Sequence, residues 1–172
     1  MFLSATPLPL AAQWYQGPSG GKGGGPFDHW TESNHLTDIG EVDVWVRDGS
    51  VVCFGTRYRH VPANAKRDFV YGSCPGWEAS GHAWDGVDRF VLAEDEYLLG
   101  VAGGYDDHIN SLRFWTNKRG SPAYGGNGGS RAFGYTAPSG QMIVAFTGRV
   151  GDNLDALGVM YAPCNRQKYV CK

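Results

Sequence analysis

Two carboxylates stand three residues apart in Gly151-Asp152-Asn153-Leu154-Asp155. Paired carboxylates are the groups of glycoside hydrolysis, which needs one carboxyl with a raised pKa as acid and a second as base or nucleophile. A glycine-led surface turn predicts solvated carboxyls with nothing to raise either pKa, so acid catalysis is not expected. Other catalytic patterns fail as well. Lys22 lies in a glycine run, but Gly23 follows it where a phosphate loop needs Ser or Thr, and no helix pattern comes next. His29, His35, His60, His82 and His108 are scattered without H-E-x-x-H, and no G-x-S-x-G occurs. Cys53, Cys74, Cys164 and Cys171 include no C-x-x-C pair, which argues against zinc, and they allow three disulfide connectivities. The chain is therefore expected to have no catalytic residue, no metal and no cofactor.

The elements that must position these residues read as strands. Val42, Val44 and Val46 alternate with Asp43, Trp45 and Arg47, and Asp48-Gly49 turns the chain into Val51-Val52-Cys53-Phe54. Apolar runs at 90–92, 97–102, 112–116, 141–148 and 154–161 are separated by short polar turns. No 11-residue window has helical periodicity. Glycine supplies 26 of 172 residues, about twice the usual ~7%, in clusters at 17–25, 100–104 and 125–129. These clusters predict turns and close backbone approaches. Gly20 to Phe27 resembles Gly125 to Phe133, and Tyr71-Gly72-Ser73-Cys74-Pro75-Gly76 is a degenerate middle copy. Three glycine loops about 50 residues apart predict three similar β units around one axis.

Bulk properties exclude more. Fifteen basic and 17 acidic residues give a net charge of −2, which cannot hold a nucleic acid. No apolar run reaches the 18 or so residues of a membrane-spanning helix. Residues 1–12 read as a loose N-terminal tail, since Pro7 and Pro9 interrupt any leader-like apolar stretch.

Four stretches together resemble the jacalin-related lectin family. They are Gly17 to Asp28, Asp95 to Gly103, Ile109 to Asn117 and Gly148 to Val159. The resemblance implies an all-β fold, a type I β-prism of three four-stranded Greek-key sheets with pseudo-threefold symmetry. It implies a domain over residues 13–162 with a C-terminal extension at 163–172. It also implies non-enzymatic, metal-free sugar binding.

A sugar presents hydroxyls that must each be paired, since a buried unpaired polar group costs about 1–3 kcal/mol. By resemblance, the G-x-x-x-D turn does this. Asp155 accepts from two adjacent hydroxyls, the Asp152 and Asn153 N–H groups donate, and Gly151 keeps the approach open. Gly24, with Gly23 beside it, forms the facing wall. The loop from Gly103 to His108 forms a third wall, with Asp106 on it and Tyr105 as a stacking platform. Taken alone, the same turn reads as a hairpin capped by Asp155.

Counting from Gly49 puts Cys53 where a second such turn would have its carboxylate. The resemblance then implies a Cys53–Cys74 bridge in place of a second sugar, and a Cys164–Cys171 bridge in the extension. Disulfides point to an extracellular, secreted protein. In the family, galactose preference goes with cleavage in the first loop, so the uncut loop implies mannose- or glucose-containing glycans and glycoproteins as partners. A galactose-specific lectin and a protein- or membrane-interaction module built on Trp77, His82 and Trp84 are the alternatives. A homodimer or higher oligomer stays open.

Overall fold

The computed structural model describes residues 14–61, 63, 69–71 and 87–171. Twelve strands run in chain order as β1 (Trp14–Gly20), β2 (Gly25–Asp28), β3 (Ile39–Arg47), β4 (Ser50–Tyr58), β5 (Phe69–Tyr71) and β6 (Val87–Val91), then β7 (Leu98–Tyr105), β8 (Ile109–Thr116), β9 (Tyr124–Gly125), β10 (Arg131–Thr136), β11 (Gln141–Val150) and β12 (Leu154–Pro163). They form three four-stranded antiparallel sheets, ordered β1-β12-β11-β2, β5-β4-β3-β6 and β10-β7-β8-β9. Each sheet has one design. A long hairpin (β3–β4, β7–β8 or β11–β12) occupies the centre, and two consecutive shorter strands straddle it. This is the expected β-prism of three Greek keys. The sheet around β11–β12 differs only in taking its outer pair, β1 and β2, from the start of the chain.

Register makes the symmetry exact enough to compare residues. In each central hairpin the pairing slips at both ends, leaving one extra residue on one strand. At the far end the extra residues are Gly40, Leu99 and Val144. Next to the turn they are Val52, Asn110 and Asp155. A bulge of this kind kinks its strand and re-aims a side chain. The turn that follows spans 151–153 in the first-described sheet and 106–108 in the β7–β8 sheet, but only Asp48 and Gly49 in the β3–β4 sheet.

The alternation read from the sequence becomes the core. Val42 and Val44 are fully buried, and Phe54, Phe114 and Phe146, one from each sheet, meet with ring centroids 4.7–6.1 Å apart. Such rings contribute about 0.5–1.5 kcal/mol per pair beyond the area they bury. A single helical turn, α1 (His29–Glu32), starts at Asp28, whose carboxylate accepts from the Trp30 N–H at 3.0 Å. It delivers His29 into this core, where Nδ1 lies 3.0 Å from Thr56 Oγ1 and the ring stacks on Phe54. Burial lowers the His29 pKa to about 3.

The glycines at 100–104 sit within β7 rather than in a loop. A Cβ at Gly100 would strike the Trp115 ring, and one at Gly103 would strike the Ser111 carbonyl.

The C-terminal extension is part of the body rather than an appendage. Cys164 and Cys171 are bridged with Cα atoms 6.1 Å apart, and Cys164 and Tyr169 are buried against Tyr97 and Met142. Tyr169 donates to Asp38 Oδ1 at 2.5 Å, and Lys168 also binds Asp38. Cys53 is not a free thiol. Cys74 and the aromatic segment with Trp77, His82 and Trp84 lie outside the described residues, as do Met1 to Gln13.

Candidate carbohydrate site

The β11–β12 turn and the β1–β2 loop face each other at one end of the prism. Asp155 stands at the bulge beside the turn, and its carboxylate points at the glycine loop. A Cβ on Gly23 would lie 2.6 Å from Asp155 Oδ1, and one on Gly24 would lie 2.5 Å from Oδ2. Gly24 adopts φ +57° and packs on the Val150 carbonyl, a place and conformation that suit only glycine. Gly151 completes the cradle, with its missing Cβ 3.1 Å from the Gly24 Cα. Three of the expected residues, Gly23, Gly24 and Gly151, are thus brought onto one carboxylate.

That carboxylate is primed for a donor. Asp155 Oδ2 is buried without a hydrogen-bond partner. Desolvation raises the Asp155 pKa, with Asp152 adding to it, while His108, the Gly151 N–H and Arg149 pull the other way. The expectation that nothing raises a carboxyl here therefore needs correction. The loop packs closer than a bare surface turn and strips water from one oxygen. The pair still does not make an acid and base, because Asp152 is exposed. Among the described residues, the Gly24, Asp152 and Asn153 N–H groups meet no acceptor, and Gly151 N–H closes the turn on the Asn153 carbonyl at 2.9 Å.

Arg149 was not singled out from the sequence, yet it holds the loop. Its Nε donates to the Gly23 carbonyl at 2.8 Å and its Nη2 to the Gly24 carbonyl at 2.6 Å. In a planar trans peptide the N–H opposes the C=O, so fixing the Gly23 carbonyl turns the Gly24 N–H away from Arg149. The acceptors are main-chain oxygens, so no side-chain spacing could have announced the contact.

The loop after β7 borders the first glycine loop, but Tyr105 and Asp106 are engaged elsewhere. The loop after β7 reaches the first glycine loop through Asp107, whose carbonyl blocks any Cβ on Gly21. His108 binds Ser50 Oγ at 3.0 Å and so ties this turn to the β3–β4 turn. Tyr105 instead lies under Arg131, 4.8 Å from its ring centroid, and beside Phe133. Asp106 is bound to Ser130. Both are engaged by their own sheet. In the β3–β4 sheet the bulge position is filled by Val52, buried with Trp45 and Cys53. Cys53 is one residue further on, because Gly49 is the second residue of its turn whereas Gly151 is the first of its own.

Among the described residues, no cluster of His, Cys, Asp and Glu could hold a metal ion, and no helix is long and apolar enough to cross a membrane. A concavity of about 390 Å³ under the C-terminal extension is lined by Asp38, Arg59, His60 and Lys168, and Asp38 pairs with Arg59 and Lys168.

Three Greek-key sheets around an axis, with a glycine loop facing a buried carboxylate oxygen at one end, define a β-prism. A family model of the jacalin-like lectin domain matches residues 16–160, and the chain belongs to that family. A mannose/glucose-specific lectin of Parkia pendula is 31% identical over 153 residues, 86% of this chain and 31% of its own length. Jacalin-related lectin 35 of Arabidopsis thaliana is 41% identical over 85 residues, 45% of this chain and 18% of that protein. Myrosinase-binding protein 2 of the same plant is 30% identical over 85% of this chain. The chain thus spans less than a third of the length of these curated relatives. Among solved structures, Calystegia sepium agglutinin shares the fold with a TM-score of 0.71 at 21% identity, covering 92% of this chain and all of that one. The mannose-binding lectin of champedak has a TM-score of 0.67 at 25% identity, covering 88% and 98%. These are lectins and binding proteins rather than enzymes, and the chain is by class a carbohydrate-binding, non-catalytic domain.

Proposed function

We propose that this domain binds mannose- or glucose-type glycans between the β1–β2 loop and the β11–β12 turn. The observation that carries the reading is the buried, unpartnered Oδ2 of Asp155 facing a glycine loop pinned by Arg149. A carboxylate offers two acceptor oxygens, which suit a vicinal diol, and the N–H groups of Gly24, Asp152 and Asn153 suit its ring and exocyclic oxygens. A hydroxyl donated to Oδ2 offsets the desolvation of that buried oxygen. The preference for mannose or glucose over galactose is supported by a sequence that runs on through the first loop and by the specificity named for the Parkia lectin.

A shallow cradle of this kind binds one hexose at roughly millimolar to tens of micromolar, or about −4 to −7 kcal/mol. Useful avidity then needs several sites on one particle, which fits a homodimer or higher oligomer. The Cys164–Cys171 bridge supports an oxidising, extracellular setting. A glycan array on the wild type and on Asp155→Ala tests the reading. Mannose- and glucose-terminated glycans are retained by the first and lost by the second, with both proteins folded. Equal retention by the two would sink it. The likeness to a myrosinase-binding protein favours a second reading, a protein-docking module without sugar binding, and an empty array supports that one.

A further inference from the structure

The threefold register allows the first cradle to be laid over the end of the β7–β8 sheet. Asn110 occupies the bulge position of Asp155. The likeness extends to its surroundings. Asn110 Oδ1 is buried without a hydrogen-bond partner, as Asp155 Oδ2 is. A Cβ on Gly128 would lie 3.1 Å from Asn110 Nδ2, and one on Gly129 would lie 3.2 Å from Oδ1, so two glycines pack on the amide, one register position earlier than Gly23 and Gly24 on the carboxylate. The turns close alike: Gly151 N–H donates to the Asn153 carbonyl at 2.9 Å, and Asp106 N–H donates to the His108 carbonyl at 3.1 Å.

The two ends differ in what the loop N–H meets. Val150 pairs with Gly25 and Tyr105 with Arg131, which sets Gly24 opposite Ser130 and Gly151 opposite Asp106. The Gly24 N–H meets no acceptor, whereas the Ser130 N–H donates to Asp106 Oδ1 at 2.8 Å and the Ser130 hydroxyl donates to the same oxygen at 2.6 Å. Arg131 Nη2 holds the Asp106 carbonyl at 3.0 Å. The carboxylate added at position 106 therefore stands where a ligand oxygen would stand in the first cradle. The carboxylate that faces the glycine loop at 125–129 comes from the adjacent turn.

We propose that the end of the β7–β8 sheet is a second polyhydroxyl cradle, built around Asn110 and held shut by Asp106. The ligand class is a hexopyranoside. Asn110 Oδ1 would accept one hydroxyl and the Ser130 N–H would donate to a neighbouring oxygen, once the carboxylate is gone. Neither Gly151 nor Asp106 has a left-handed backbone, so exchanging one for the other requires no unusual φ. The hydrogen bonds from Ser130 hold the Asp106 carboxyl below the usual carboxylate range, so the plug stays charged at ordinary pH.

The proposal rests on the first cradle being a sugar site, and the test separates the two. Amide shifts of Gly24 and Ser130 are followed by ¹⁵N NMR while methyl α-glycosides of mannose, glucose and galactose are titrated into wild type and Asp106→Gly. In the wild type Gly24 moves and Ser130 does not. In Asp106→Gly both move, and calorimetric stoichiometry rises twofold. Ser130 moving in the wild type, or staying still in Asp106→Gly while Gly24 moves, overturns the closed cradle and leaves the first site intact. Ser130 responding in the variant while Gly24 is silent in both proteins supports the closed cradle and sinks the first-site reading. Silence of both amides in both proteins sinks both. If Asp106→Gly melts abnormally, Asp106→Ala gives the same readout with a stiffer backbone.

Discussion

Asp155 is asked to do two opposed things, to stay ionised and to sit partly dry. Its isostere separates them. Asp155→Asn removes the penalised charge but presents an amide donor where a hydroxyl must donate. Glycan affinity should fall at least tenfold, on the scale of the ~1.5–3 kcal/mol of a hydrogen bond to a charged group, while the melting temperature holds or rises. Calorimetric titration and thermal melts check this, and a loss of both properties would count against it. The pH dependence has a definite sign. A ligand that needs the ionised form binds less well as pH falls through the Asp155 pKa. Because desolvation raises that pKa, the decline starts at a higher pH than for an ordinary carboxyl. In the proposed site Arg149 acts through the loop, which it holds by two carbonyls. Arg149→Met should weaken binding by roughly three- to tenfold, from about 0.7–1.4 kcal/mol of lost loop order, with little change in melting temperature. A matching loss in Arg149→Lys would show that the two-carbonyl fork matters, since a single ammonium cannot reproduce it.

Most strands were legible because half-buried antiparallel strands alternate, and Val42 to Val46 or Leu112 to Thr116 leave little choice of face. The bulges were not legible. Nothing in Val51-Val52-Cys53 says that pairing slips at Val52, and a spacing rule carried from Gly151–Asp155 to Gly49–Cys53 starts from the second residue of a turn instead of the first. The same blindness hid Asn110, which no G-x-x-x-D pattern marks. Of the site, Gly23, Gly24, Gly151 and Asp155 could be read because glycine and carboxylate are distinctive at fixed spacing. Arg149 and Ser130 could not, because each acts through contacts made only once the sheets have folded. The C-terminal extension makes its own prediction. Its bridge closes a loop of seven residues' separation, worth roughly 2–3 kcal/mol by loop entropy. Cys164→Ser should lower the melting temperature and speed proteolysis around Lys168, whose anchor is Asp38. A variant as protease-resistant as the wild type would show that the Asp38 contacts suffice.

Two buried groups set opposite acid–base slopes for the whole fold. His29 has a folded pKa near 3 against an ordinary 6.5, so its contribution is present above 6.5 and is lost as pH falls toward 3. Asp43 is pushed up to about 7 by burial and by Glu41, so its contribution is full below its ordinary 3.8 and is lost as pH rises toward 7. The two windows overlap, and wild-type stability should be nearly flat between about pH 4 and 6.5. Asp43→Asn should unmask a fall toward acid and His29→Asn a fall toward base, each at most about 1.4 kcal/mol per pH unit. Urea midpoints across that range test this, and parallel curves for all three proteins would refute it. The sheet that carries the first cradle is also the one stitched from both halves of the chain, with β1 and β2 joined to β11 and β12. On the ribosome, the glycine loop near residue 23 is made early and waits for Asp155, about 130 residues later. Two of the three sheets can form before that strand emerges, but the cradle cannot. On the proposed reading, sugar recognition therefore comes only once β12 has emerged, and a nascent chain stalled before it would fold in part without engaging a glycan.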